Sequence, residues 1–589
     1  MSAQQLITDH LDLWTGAVTS RSTAGRGHNG KIELTGLKKL RELILELAVR
    51  GKLVEQDPTD EPASVLLERI AEEKARLVEE GKIKKTKHLP EVAEEDKPFE
   101  LPQGWSWARL GEITNYGSTD KAEPGEVEDT SWVLELEDIE KESSRLVQRI
   151  TYRERPFKSS KNRFAPGDIL YGKLRPYLDK VLVADQAGVC TTEIIPIRAF
   201  HDIFSPYLKL ALKSPTFKAY ANDSTHGMNL PRLGTERARL ALIALPPKEQ
   251  QNRIAEKVDE LMALCDRLEQ QTGEQLEAHE VLVDALLDAL TRSANASEVA
   301  KNWARIAEHF DTLFTTEASI DKLKQAILQL AVMGRLVEQD PDDEPASVLL
   351  EKIAEEKTRL AKEGKSRKSG TKLAQTAKEI PFHIPDNWEW CKLDDLSLHS
   401  AAGWSPQCDN IPRSGNNWGV LKVSAVSWGA FDPDENKSLP SNLDPRIELE
   451  IKTNDFLVSR ANTSNLVARS VVVPPHAPRN LMMSDKIVRF TLSRKINALY
   501  VNLTNNSKTS RDYYSRIAGG TSSSMKNVSR KQIQELFIPL PPQNEQHRIV
   551  KKADALIALC DQLKERLSDA GDTRTQLAEA VVEKAVKTA

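Results

Sequence analysis

An α+β fold is predicted for this 589-residue chain, with two mixed, strand-rich inserts carried on a helical frame that occurs twice and closes as a coiled coil. Three observations predict it. A helical segment recurs, a heptad-spaced segment recurs, and the sequence between them turns to short β-type runs broken by Pro and Gly.

The first repeat pairs residues 37–77 with 320–360, where 30 of 41 positions are identical at an offset of 283. The offset persists to Trp105 and Trp107, which fall on Trp388 and Trp390. The second repeat pairs the Leu-Pro-Pro segment from Leu245 with that from Leu540, at an offset of 295. A fainter match joins the segments from Ile7 and Ile306, so the chain reads as two tandem halves, 1–290 and 300–589. Over 101–245 and 384–540 similarity nearly vanishes. A matched frame with mismatched inserts suggests one mechanical task done on two different targets.

In chain order, Leu40, Ile44, Leu47 and Ala48 have helical spacing, and Gly51 is placed to end that helix. Asp57-Pro58 turns the chain, and Pro62 opens a second helix through Leu66, Ile70 and Leu77; the pair is expected to form a hairpin with an apolar seam. Basic stretches follow in both copies (Lys82, Lys84, Lys85 and Lys87; Lys365, Arg367, Lys368 and Lys372) and read as solvated linkers, with phosphate contact as the alternative. After each Leu-Pro-Pro, apolar residues step 4-3-4-3: Ile254, Val258, Leu261, Cys265 and Leu268, then Ile549, Ala553, Leu556, Cys560 and Leu563. That is a coiled-coil seam, with the two copies expected to pack on each other; the seam alone does not say which way the helices run. Cys265 and Cys560 are read as small core residues.

The five cysteines, without C-x-x-C spacing, fit a reducing compartment with neither disulfides nor a zinc site. No apolar run reaches the length of a membrane span, and no signal peptide is legible after Met1. A net charge of −5 would ordinarily argue against nucleic acid. Its distribution argues otherwise. Residues 143–180 hold ten Lys/Arg against Glu154, Asp168 and Asp179; residues 446–530 hold 14 against five acids, and the helical 37–80 holds eight against 11. Basic inserts on an acidic frame are expected of a nucleic-acid-binding face, with scattered surface charge as the plain alternative.

Within the inserts, Val133–Leu136, Val181–Val183 and Val471–Val473 are strand candidates. The strand ends Gly167–Arg175 and Asn454–Thr463 run into polar residues, and a second polar stretch precedes each Leu-Pro-Pro. Candidate DNA contacts are therefore Arg163, Lys173, Arg175, His226 and Asn229 in one insert, and Arg460, Asn462, Thr463, Ser523 and Lys526 in the other. The alternating Trp105/Trp107 and Trp388/Trp390 are read as core, with base stacking as the alternative.

Catalytic signatures are missing: there is no phosphate-binding loop, dinucleotide or S-adenosylmethionine loop, Asn/Asp-Pro-Pro-aromatic motif, or metal-ligating His/Cys spacing. Pro341-Asp342 with Glu355-Glu356-Lys357 superficially matches a Mg²⁺-dependent nuclease pattern. On a helix, however, residues two apart diverge by about 200° and cannot converge on one metal.

The ordered set of W-x-W entry, basic divergent insert, Leu-Pro-Pro-x-x-x-Gln and coiled-coil helix, all repeated, resembles the specificity subunit of type I restriction–modification enzymes, over essentially the whole chain. The duplicated ELAVRGKLVEQDP and QLAVMGRLVEQDP segments are similar to the type IB subfamily. The resemblance implies conserved helical regions at 1–97, 246–380 and 541–589, target recognition domains at 98–245 and 381–540, and an antiparallel, pseudo-twofold coiled coil. It implies a non-catalytic, cytoplasmic chain that binds no cofactor itself. Each insert would read half of an asymmetric site in double-stranded DNA. Two modification subunits would use S-adenosylmethionine to methylate adenine N6, and restriction subunits would use ATP and Mg²⁺. Taken as a ruler, the 23 residues of 248–270 span roughly 35 Å, about one turn of B-DNA. The competing readings are a coiled-coil scaffold whose inserts bind protein, and a self-sufficient nuclease or methyltransferase.

Overall fold

Each Leu-Pro-Pro launches a helix far longer than its heptad seam: Lys248–Arg292 has 45 residues and Gln543–Thr588 has 46. The computed structural model describes residues 8–21, 31–83, 88–226, 230–294, 296–363, 380–427, 429–520 and 525–588. The chain divides into two units, one of residues 1–20, 32–274 and 571–589, the other of 21–31 and 275–570. Each long helix contributes to both.

In the first unit, helix Thr35–Val49 ends at Gly51, whose φ of +68° suits glycine. A Cβ there would come within 2.6 Å of Pro102 and 2.8 Å of Trp105, so the glycine also admits the entry tryptophan. Leu40, Ile44, Leu47 and Ala48 bury against Ile254, Val258, Leu261 and Cys265, together with Ala578 and Ala585 from the end of the second long helix. In the second unit, Leu556, Cys560 and Leu563 pack with Val283, Leu287 and Leu290 from the end of the first long helix. Ile549 and Ala553 join the core of the second insert.

These cores correct two expectations. The heptad seams do not pack on each other. Apolar spacing continues beyond each seam, so the start of one long helix meets the end of the other, and the two run antiparallel. Nor do the paired short helices form a hairpin with a shared seam: Ala63–Glu79 turns Ala63, Leu66 and Ile70 onto the insert core with Leu110, Ile113 and Ile243. The 45-residue helix spans about 67 Å, so the ruler argument, built on 23 residues, falls with them.

Each insert is closed at its base by its own entry and exit. Ser106–Arg109 pairs antiparallel with Leu242–Leu245, placing Trp107 opposite Ala244. Glu389–Lys392 pairs likewise with Phe537–Leu540, placing Trp390 opposite Pro539. Trp105, Trp388 and Trp390 are buried, as the core reading expected, whereas Trp107 is half-buried, packed on the edge of the core beside Phe99.

Above the base, the first insert has a three-stranded sheet ordered Ile194–Ile197, Ile169–Gly172, Val181–Val183. The second repeats that order with Ile487–Leu492, Phe456–Ser459 and Ser470–Val472, and adds Ser397–Ala402 at the edge. Each insert also has a parallel pair, Gly188–Cys190 on Trp132–Leu134 and Leu481–Met482 on Gly419–Leu421. Two sequences without readable similarity therefore share a fold. Among the described residues no helix is long and apolar enough to cross a membrane.

Candidate nucleic-acid interface

One backbone crossing is built the same way in both inserts. In the first, Gly172 pairs with Ile194, the Lys173 N–H donates to the Glu193 carbonyl at 3.0 Å, and the Lys173 carbonyl accepts the Leu233 N–H at 3.0 Å. In the second, Ser459 pairs with Ile487, the Arg460 N–H donates to the Lys486 carbonyl at 2.8 Å, and the Arg460 carbonyl accepts the Val528 N–H at 2.9 Å. A strand end, a turn and the segment before the exit strand thus converge. They present Lys173, Glu193 and Arg232 in one insert, and Arg460, Lys486 and Asn527 in the other.

The crossing joins the two polar stretches marked in each insert. Arg175, exposed and left-handed at φ +52°, donates its N–H to the Pro231 carbonyl at 2.7 Å, and strand Thr225–His226 pairs with Arg232–Leu233. In the second insert Ala461 pairs with Asn527 and Asn462 with Lys526. Lys173 and Arg460 are half-buried, and neither side chain has a hydrogen-bond or ion-pair partner among the described residues. Asn462 is committed internally, its amide donating to Ser427 Oγ at 2.9 Å and accepting the Thr463 N–H at 2.8 Å. Lys526 donates to the Gly520 carbonyl at 2.7 Å, and the Thr463 hydroxyl is buried without a partner among the described residues. Asn229 and Ser523 lie outside the described residues.

Arg163 stands apart from this group. It lies on strand Lys161–Phe164 with its guanidinium on Glu126 at 3.0 Å. Its case is general. Residues 120–142 carry ten carboxylates against Lys121 and Lys141, and the fold brings them onto the basic stretch. Arg145 meets Glu140 at 3.0 Å, Arg153 meets Asp129 at 3.3 Å, Arg155 meets Asp138 and Glu137, and Lys161 meets Glu135. The charge excess of 143–180 is therefore mostly neutralised by a segment preceding it. Of its ten cations four lack a carboxylate partner among the described residues: Lys180, which donates to the Leu136 carbonyl at 2.6 Å, and Lys158, Lys173 and Arg175, the last two at the crossing.

The two crossings differ in charge. Arg232 is held by Glu193 at 3.0 Å, whereas Lys486 is exposed and has no carboxylate partner among the described residues. Glu193 and Lys486 escaped sequence reading because each sits in a short turn whose approach to the strand end is set by register alone.

A second set of residues fastens each insert to the frame. The Gln of Leu-Pro-Pro-x-x-x-Gln is fully buried in both copies. Gln251 accepts the Phe204 N–H at 2.8 Å and donates to the Pro246 carbonyl at 3.1 Å; Gln546 does the same with Asn497 at 2.9 Å and Pro541 at 3.1 Å. The Trp105 indole donates to Gln56 and Gln250, each at 2.9 Å, and the Trp388 indole donates to Glu545 at 2.9 Å. Asp60 pairs with Arg253, and Asp343 with Arg548 at 2.7 Å. All of these stand inside the repeated segments, so the repeat itself was the signal. The nuclease-like Lys357 has a structural task too, donating to the Asp394 carbonyl at 2.6 Å from a buried site.

With this geometry in view, similarity to known proteins is informative. Residues 102–278 and 385–570 match the model of the type I restriction modification DNA specificity domain. The chain is 43% identical to the type I restriction enzyme EcoEI specificity subunit of Escherichia coli, over the full length of both. It is 40% identical to the EcoAI specificity subunit of the same organism, again over the full length of both. A solved chain from work on assembly and conformational transition of a type I R-M system overlays with a TM-score of 0.51 at 18% identity, covering 83% of this chain and 99% of that one. A protein-binding scaffold without DNA finds no support in these similarities.

Proposed function

The chain belongs to the type I restriction–modification DNA specificity family, and on that premise we propose that each of its two inserts reads one half of a bipartite, asymmetric site in double-stranded DNA. It is a non-catalytic specificity subunit that binds DNA and associates with other subunits. The finer reading is that it docks two modification subunits, which methylate adenine N6 with S-adenosylmethionine, and restriction subunits that cleave with ATP and Mg²⁺, in the cytoplasm. In this reading 98–245 and 381–540 are the recognition domains, and 1–97, 246–380 and 541–589 form the frame.

The observation that carries it is the duplicated crossing at Lys173 and Arg460: one backbone arrangement, two different sets of side chains. Phosphate contacts position a protein on a duplex and base contacts specify, so equal scaffolds with unequal tips suit two half-sites of different sequence.

Sequencing of methylated adenines in cells carrying the chain and its partner subunits is the test. A split motif is expected, and exchange of residues 101–245 should change one half of it only. A continuous motif, or a change in both halves, overturns the reading.

A further inference from the structure

Behind the reading loop, a carboxylate of the first insert has no counterpart in the second, and its loss leaves charge uncompensated there. Asp179 and Ala468 occupy the same place. Both are left-handed, at φ +52° and +59°, and both precede the residue whose carbonyl accepts the strand-end N–H: Gly172 to Lys180 at 2.9 Å, and Ser459 to Arg469 at 2.8 Å. The following helices correspond as well, with Ser214 and Ser507 as their N-caps, so that Lys218 matches Arg511.

In the first insert the Asp179 carboxylate answers the cations around it, Lys213 at 3.1 Å and Lys218 at 3.6 Å. In the second insert Ala468 has no carboxylate and Asn506 stands where Lys213 does, yet Arg469 and Arg511 remain. Among the described residues Arg469 donates only to the Asn465 carbonyl, at 3.4 Å; Arg511 donates to the Val467 carbonyl and lies over the Tyr514 ring at 5.6 Å. One Arg511 terminal nitrogen is buried without a partner among the described residues. Burial, and then Arg469 beside it, bring the Arg511 pKa down to about 10. Two half-buried, adjacent guanidiniums without an anionic partner among the described residues are costly, and their forked donors match phosphate oxygens.

We propose that Arg469 and Arg511 bind a phosphate group, a backbone phosphate of the DNA whose bases are read beside Arg460. This rests on the DNA-reading assignment above. The first insert would make no such contact, because Asp179 already fills the role from within.

The test compares wild type with Ala468→Asp, which copies the first insert, and with Arg511→Gln. Each full chain, assembled with its modification subunits, is titrated with duplex carrying its methylated site over a range of salt. Both variants should bind several-fold more weakly at every sequence, with the log–log salt slope shallower by about 0.9 and the recognised motif unchanged. Ala468→Asp should also melt higher. If it melts higher but keeps wild-type affinity and slope, the arginine pair is merely structural and the proposal fails. If the wild-type complex shows no salt-dependent duplex binding, the DNA-reading assignment itself fails. The anion site is then judged by inorganic phosphate, which must raise the melting temperature of wild type, but not of Ala468→Asp, at matched ionic strength.

Discussion

Lys173 and Arg460 occupy one and the same node of two dissimilar domains, each donating its N–H to a turn carbonyl and accepting from the segment that leads to the exit strand. Backbone identity at this node fixes where the side chains start; only their chemistry differs. Arg460→Ala should therefore cost about 1–3 kcal/mol at one position of one half-site if the guanidinium forks onto a guanine. The measurement is binding to a panel of single-base variants. A loss equal across the panel would reassign Arg460 to phosphate.

Arg163→Ala is the matching control. An exposed ion pair to Glu126 contributes about 0–1 kcal/mol to stability, and DNA affinity should not change. A large loss of binding would return Arg163 to the interface.

Gln251→Ala and Gln546→Ala each strand a buried N–H and a Pro carbonyl, at a cost of roughly 1–3 kcal/mol per group left unsatisfied. Both should lower the melting temperature. Unchanged melting would show that the Gln clamp does not hold insert to frame.

Burial raises the Glu545 carboxyl, while hydrogen bonds from Trp388 and Gln339 only partly oppose it. The folded state therefore holds this proton more tightly than the unfolded chain, and stability falls as pH rises from the unfolded pKa through the folded one. Glu545→Gln places the side chain of Gln250 at the matching position. It should remove that fall and leave the variant the more stable form at neutral pH, as read from melting temperatures across pH 4–8. Parallel curves for the two chains would contradict it.

Asp179→Ala leaves Lys213 buried without its carboxylate and should cost about 3–5 kcal/mol. Adding Lys213→Asn recreates the Ala468 and Asn506 pairing of the other insert and should recover most of the loss. A double variant as unstable as the single one would contradict the equivalence of the two positions.

The frame was legible in the sequence because helical and heptad spacing report burial directly: Leu40, Ile44, Val258 and Leu261 are all core residues. Antiparallel pairing was not, since a seam of five residues carries no direction. The strand ends at 167–175 and 454–463 were legible from their polar turns. Their meeting with 231–233 and 526–528 depends on long-range register. Local charge misled most, because counting 143–180 alone omits the carboxylates of 120–142 that fold onto it.

The pairing of entry and exit strands has a consequence for length. The repeat offset is 283 at Trp388 and 295 at Gln546, so the second insert is twelve residues longer than the first. Yet Trp105 and Gln250 meet at 2.9 Å, and so do Trp388 and Glu545. A loop zipped shut at its own neck can grow or shrink without transmitting strain to the neck, so each recognition domain is free to gain or shed residues while its anchorage remains constant.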